Sequence, residues 1–289
     1  MKKLNNYLIF FLPLLLWSCE KEIDIEIASN EEKIVVEGAI EQGIPPLVIL
    51  TKSVGFFAPT DLESYKNSFI KDAIITVSDG TTSVVLDTFN LQGYTVYSTF
   101  NPAIFGQIGK TYHLEIKALG KVLTATTTIP MPQQMNSYWY KDQPGYSNYG
   151  YLWFNQTDPP EYGNAYRIFT QRKGKDIRFL PADGSVWDDH LINGLTFDAF
   201  IWRGHEPNST VEEDINETSQ YYQQGDTIII KFCTIDLPHF EFWESFETAA
   251  FNDGNPFAAP TTIRTNIEGG ALGIWGGYSA SYDTLIAVD

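Results

Sequence analysis

The sequence predicts a mainly β protein: an N-terminal immunoglobulin-like β-sandwich, then a second β-rich domain, sandwich- or barrel-like, carrying one amphipathic helix. Three observations predict this. Short runs of β-branched and aromatic residues recur along the chain, turn residues separate them, and one late stretch repeats its aromatics at helical spacing instead. The composition, 43% hydrophobic, 15% aromatic and 19% charged, suits a chain with a sizeable core and excludes disordered, collagenous and coiled-coil classes.

In order, Lys33–Ile40 and Leu47–Thr51 read as strands. Ala73–Ser78 alternates and meets the turn signal Asp79-Gly80 before Ser83–Leu86. Tyr112–Lys117 alternates, turns at Leu119-Gly120 and returns as Val122–Thr128. About seven strands in about 100 residues is the density of an immunoglobulin-sized sandwich. Pro130-Met131-Pro132 then breaks the ladder, because proline cannot donate to a sheet. The expected boundary is therefore there, giving residues 33–130 and 131–289 as two domains.

In the second part, Tyr149–Phe154, Ala165–Thr170, Thr196–Trp202 and Asp226–Ile235 read as strands, with a return strand from Asp176 to Leu180. Asp183, Asp188, Asp189 and His190 crowd what reads as an acidic loop. A helix is expected at about 238–252, capped by Asp236, with Pro238 in its first turn and a stripe of Phe240, Trp243 and Ala250. The glycine-rich end, Gly269 to Tyr278 and then Leu285–Val288, reads as closing strands.

The first residues carry different information. Lys2 and Lys3 precede an apolar run from Tyr7 to Trp17. That run is too short for a bilayer, which needs about 20 residues, and has the length of a signal-peptide core. Leu16-Trp17-Ser18-Cys19 resembles a bacterial lipobox, with Trp17 departing from the usual small residue. The resemblance implies removal of residues 1–18 and acylation of Cys19. Residues 19–32 then form an acidic tether, and Glu20, Lys21, Glu22 and Asp24 resemble the surface-export signal of Bacteroidetes lipoproteins. The expected location is the outer membrane, held by lipid and facing the exterior.

With Cys19 acylated, Cys233 is the one remaining cysteine and no internal disulfide can form. Cys233 sits in an apolar strand and reads as a small buried hydrophobe. Lys plus Arg total 19 against 36 acidic residues, a net charge of −17, which excludes nucleic acid as a partner.

The stretch from Tyr222 onward combines a strand, a helix bearing Phe242-Trp243, then Asn255-Pro256-Phe257, Asn266-Ile267 and Gly273-Ile274-Trp275-Gly276. Together with Val35-Val36-Glu37-Gly38 and Gly109-Lys110-Thr111-Tyr112-His113-Leu114, this order resembles the Bacteroidetes lipoproteins grouped as domain-of-unknown-function family 4249. The resemblance implies a non-enzymatic binding or accessory subunit of a TonB-dependent outer-membrane transporter, with that receptor barrel as partner.

No nucleophile elbow, phosphate loop, dinucleotide fingerprint or zinc-protease motif occurs, so no catalytic residue, metal ligand or cofactor is assigned. The aromatic excess is the remaining signal. Trp139, Tyr149 and Tyr151, with Trp275 and Tyr278, are the candidate ligand or partner contacts, since surface aromatics anchor interfaces and stack on sugars. Two other readings stay open: a carboxylate-dependent, glycosidase-like hydrolase, and a structural or adhesive surface module.

Overall fold

The computed structural model describes residues 32–54, 61–91, 93–206, 209–252 and 261–288. Cys19, Glu20, Lys21, Glu22 and Asp24 lie outside the described residues. Glu32–Asp289 forms one compact unit. Its first half supplies β1 (Ile34–Glu41), β2 (Leu47–Lys52), α1 (Leu62–Ser68), β3 (Ile74–Ser78), β4 (Ser83–Val85), β5 (Asp87–Leu91), β6 (Tyr94–Ser98), β7 (Thr111–Ala118) and β8 (Lys121–Thr128). The second half supplies β9 (Ser137–Asp142), β10 (Tyr149–Thr157), β11 (Ala165–Arg172), β12 (Leu180–Asp188), β13 (Thr196–Ile201), α2 (Glu212–Ile215), β14 (Tyr222–Gln223), β15 (Thr227–Ile235), α3 (Leu237–Asn252) and β16 (Leu272–Ile286).

The chain is mainly β, as the sequence predicts. An eight-stranded sheet runs in the order β12-β11-β15-β16-β1-β2-β6-β5. Two four-stranded sheets accompany it. One is β4-β3-β7-β8; the other is β13-β10-β14, with β9 also paired to β10.

Side-chain alternation along β16 shows how the layers stack, because successive residues face opposite sides of a sheet. Trp275 joins the core cluster with Val36, Leu50, Ile75, Leu114 and Ile116. Leu285, of the same parity, packs on the cluster of Leu152, Phe154, Ile228 and Ile230. Tyr278 and Ala280, of opposite parity, pack with Phe240 of α3. The two small sheets thus cover one face of the large sheet, and α3 covers the other.

This arrangement corrects the expected division at Pro130-Met131-Pro132. The first half builds a sandwich, but a C-terminal strand completes it. β16 pairs in parallel with β1, Val35 opposite Leu272 through Glu41 opposite Tyr278, and antiparallel with β15 on its other edge. The glycine-rich end, expected as separate closing strands, is one continuous strand in mid-sheet.

Its glycines are there because backbones come close. Gly273 has φ +108°, and a Cβ there would lie 1.9 Å from the Val36 carbonyl oxygen. A Cβ on Gly276 would lie 2.3 Å from the His239 ring, and one on Gly277 2.7 Å from the Thr128 carbonyl oxygen. Trp275 fills the space beside Gly38, fully buried, and its indole N–H donates to the Tyr112 carbonyl at 3.1 Å.

The helix starts where its cap dictates. One Asp236 carboxylate oxygen accepts the His239 amide at 3.1 Å, which satisfies a donor that the helix leaves unpaired. The other accepts the Thr127 hydroxyl at 2.7 Å and the Thr128 amide at 2.9 Å, tying α3 to β8. Phe240 and Phe242 are buried, and His239 stacks edge-on against Tyr278 at 4.5 Å. Cys233 is fully buried in β15, and burial pushes its thiol up to about 12.

The expected return strand at Asp176–Leu180 starts later. Asp176 folds back onto Arg172, accepting its amide at 2.6 Å and its guanidinium at 2.8 Å, and β12 opens only at Leu180. The acidic loop expected around Asp183 and Asp188 is therefore strand. Only Asp189 and His190 follow it, and Asp189 accepts the amides of Gly163 at 2.6 Å and Asn164 at 2.8 Å.

Two outcomes follow from β16 and its helix. Gly276→Ala, which drives a methyl into the His239 ring, should lower the unfolding free energy by about 2–3 kcal/mol in urea titrations. His239 is depressed to about 3 from 6.5 by burial and by Arg167. Between those values the unfolded chain binds the extra proton, so stability should fall on acidification from about pH 6.5, by up to about 1.4 kcal/mol per pH unit. Comparing urea midpoints at several pH values should show a shallower decline for His239→Gln.

Candidate functional site

β10 alternates strictly. Gly150, Leu152, Phe154 and Gln156 are buried inward, while Tyr149, Tyr151, Trp153 and Asn155 face outward and are only partly covered. Neighbouring strands follow the same rule, so register decides what meets on the outer face. Trp153 lies opposite Trp139 of β9 on one side and Phe200 of β13 on the other. Tyr151 lies opposite Lys141.

The result is a continuous sheet of rings. Trp139 stacks on Trp153 at 6.1 Å with planes 20° apart. Trp153 meets Phe200 at 5.2 Å, and Phe200 meets Tyr151 at 4.5 Å and Trp202 at 6.0 Å. Tyr151 continues to Tyr221 at 4.9 Å, and Tyr221 to Tyr146 at 5.0 Å. Phe200 and Trp202 are 41% and 40% exposed. A polar row borders the rings: the Asn155 amide donates to Asp198 at 2.6 Å, and the Asn136 amide donates to Asn155 at 2.6 Å.

The structure separates the five aromatic candidates. Trp139 and Tyr151 belong to this outer face, and Tyr149 sits half-buried at its lower end, opposite Gln223. Trp275 and Tyr278 do not: both are buried in mid-sheet and serve as core. Phe200 and Trp202 are the residues that sequence reasoning missed. The signal was present, since Phe197, Ala199 and Ile201 alternate with Asp198, Phe200 and Trp202, and two large rings at outward positions mark a surface with a use.

Beside this face the two layers part. β13 ends one sheet and β12 ends another; an isolated bridge, Asp183 to Trp202, links them. A groove opens there, closed on its third side by α3. One section, of about 450 Å3, is floored by Phe154, Trp187 and Phe197, with Phe200 at its mouth and Asp183 and Glu244 on its walls. The next section, of about 630 Å3, is reached past Asp183 and is lined by Arg167, Trp202, His205, Trp243 and Glu247.

Arg167 is 3% exposed, and its guanidinium is held on every side. It lies 3.4 Å from the centre of the Trp243 ring and 4.7 Å from that of Phe169. Its Nε donates to the Ser185 hydroxyl at 3.2 Å and its Nη1 to the Tyr278 hydroxyl at 2.8 Å. Glu247 answers from the helix, accepting the Ser185 hydroxyl at 2.5 Å and the Ser185 amide at 3.1 Å. Burial raises the Glu247 carboxyl above its ordinary range, against the opposing pull of Ser185 and Arg167. This chain of contacts fixes α3 on β11 and β12. Asp183 differs: it is half-buried and raised by burial, yet among the described residues it accepts no hydrogen bond and forms no salt bridge.

Lysine cannot reproduce a stacked, forked guanidinium. Arg167→Lys should cost about 2–4 kcal/mol in denaturant titrations, whereas Trp153→Ala, on the open face, should cost about 1 kcal/mol.

No curated protein matches the chain. A family model does, over residues 20–283, which takes in both small sheets, the ring-bearing face and the groove. The chain belongs to the family described as domain of unknown function DUF4249.

Proposed function

We propose that this chain is a surface-exposed outer-membrane lipoprotein of the Bacteroidetes type, anchored by acyl chains on Cys19. It acts as a non-enzymatic binding or accessory subunit of a TonB-dependent transporter. The observation that carries the binding role is the outer face of β9, β10 and β13, where Trp139, Trp153, Tyr151 and Phe200 form unbroken ring contacts with no further layer over them among the described residues. Contiguous exposed rings on a folded chain mark interaction surfaces, and Trp and Tyr dominate the energetic centres of protein interfaces. Lys141, 5.8 Å from the centre of the Trp153 ring, and the Asn155–Asp198 row supply a polar rim.

The membrane attachment is a lipid one in this reading. Among the described residues no helix is long and apolar enough to cross a membrane. Several acyl chains on one residue hold a protein far more firmly than one, at about 0.8 kcal/mol per buried methylene.

The test is affinity purification from gently solubilised native membranes. A large β-barrel should co-purify, and Trp153→Glu should reduce its recovery at least about tenfold. Isolation as a lone species at native expression would overturn the transporter reading and leave the adhesive module. Cells fed labelled palmitate should mark the protein, and Cys19→Ala should abolish both the label and its sedimentation with the envelope.

A further inference from the structure

The first section of the groove has a charge imbalance that no cation on its lining relieves among the described residues. Asp183, Asp188 and Glu244 line it, and no lysine, arginine or histidine does. Its floor is apolar and ring-rich. A carboxylate against such a floor is poorly solvated unless a cation pairs with it. Asp183 has no cation in contact with it among the described residues: the charges of His205 and Arg203 reach it only from beyond salt-bridge distance, and Arg203 is itself paired with Asp214 at 2.8 Å. Asp183 also lines the other section, where the buried cation, Arg167, is occupied by Trp243, Ser185 and Tyr278.

Rings and carboxylates facing one recess suit one kind of guest. A positive head is attracted both by the carboxylates and by the negative faces of the rings, and an apolar body fills the floor. The space of about 450 Å3 lies within the range of small-ligand pockets, about 300–1,000 Å3. The net charge of −17 favours cations over anions before any contact forms. We infer that this section of the groove is a binding site for a small organic cation, an ammonium on an aromatic or aliphatic body, with Asp183 as its charge partner. The site goes beyond the transporter reading and does not depend on a barrel.

Calorimetry on the full-length protein in detergent tests this with four probes: phenethylamine, phenyltrimethylammonium, benzyl alcohol and 3-phenylpropionate. The two cations should bind, the alcohol at least about tenfold more weakly, and the anion not measurably. Asp183→Asn should weaken cation binding about tenfold. It removes no hydrogen bond and relieves a poorly solvated charge, so its thermal melt should be no lower than that of the native chain. Glu217→Gln, on the exposed segment after α2, should leave affinity unchanged and so exclude a general charge effect. Equal binding of 3-phenylpropionate, unchanged affinity in Asp183→Asn, or no heat from either cation at about 10 mM would each overturn the site. Barrel co-purification by the native chain separates the two ideas: a native chain that recovers the barrel yet binds neither cation defeats this inference alone.

Discussion

Everything else in the fold is arranged around the close approach of β16 to its neighbours. It is hydrogen-bonded on both edges, to β1 and β15, and covered on both faces, by β8 and by α3. A strand enclosed on four sides has little room for side chains, so glycines stand where another backbone or the His239 ring intrudes. Trp275 then fills the space that the glycines leave between the sheets. A polar clamp spans the same strand: Glu41 of β1 accepts the Tyr282 hydroxyl at 2.7 Å and also pairs with Lys231 of β15. The two halves of the sequence are joined by this strand rather than by the linker between them.

The binding features lie where that organisation leaves material uncovered. β10 buries its even-numbered residues against the large sheet, so its odd-numbered rings meet Trp139, Phe200, Tyr221 and Lys141 on the outer side. The groove has a different origin. The large sheet ends at β12 and the small sheet at β13, and the two edges meet at the Asp183–Trp202 bridge and at Gly204 against Pro181, with α3 lining the groove beside them. The helix is held there by the Arg167–Ser185–Glu247 chain, so the wall of the groove is as firm as the core it rests on.

Much of this was legible in the residues. The β1, β3, β7 and β8 strands follow from alternation and from the turns at Asp79-Gly80 and Leu119-Gly120. The helix follows from Asp236 and the spacing of its aromatics, and it spans Leu237–Asn252 against an expected 238–252. Local signals failed where the deciding partner is distant in sequence. Periodicity gives Trp275 and Tyr278 a strand but does not say what lies on either side of it, so buried rings read as surface ones. Asp183 and Asp188 read as loop because acidic residues favour turns, yet pairing with β11 holds Asp188 in a strand and the bridge to Trp202 draws in Asp183. Pro130-Met131-Pro132 does end a strand; that a later strand would cross back over this break carries no local mark.

The parallel match of β1 with β16 has a kinetic consequence. The partners lie more than two hundred residues apart, Val35 beside Leu272, and loop closure over such a span is slow and uncompensated until the intervening layers exist. The centre of the large sheet therefore stays open until the last strand emerges from synthesis. A chain that delays its own closure in this way must be released whole before its largest sheet can seal, and a product cut short before β16 would leave the edges of β1 and β15 bare together.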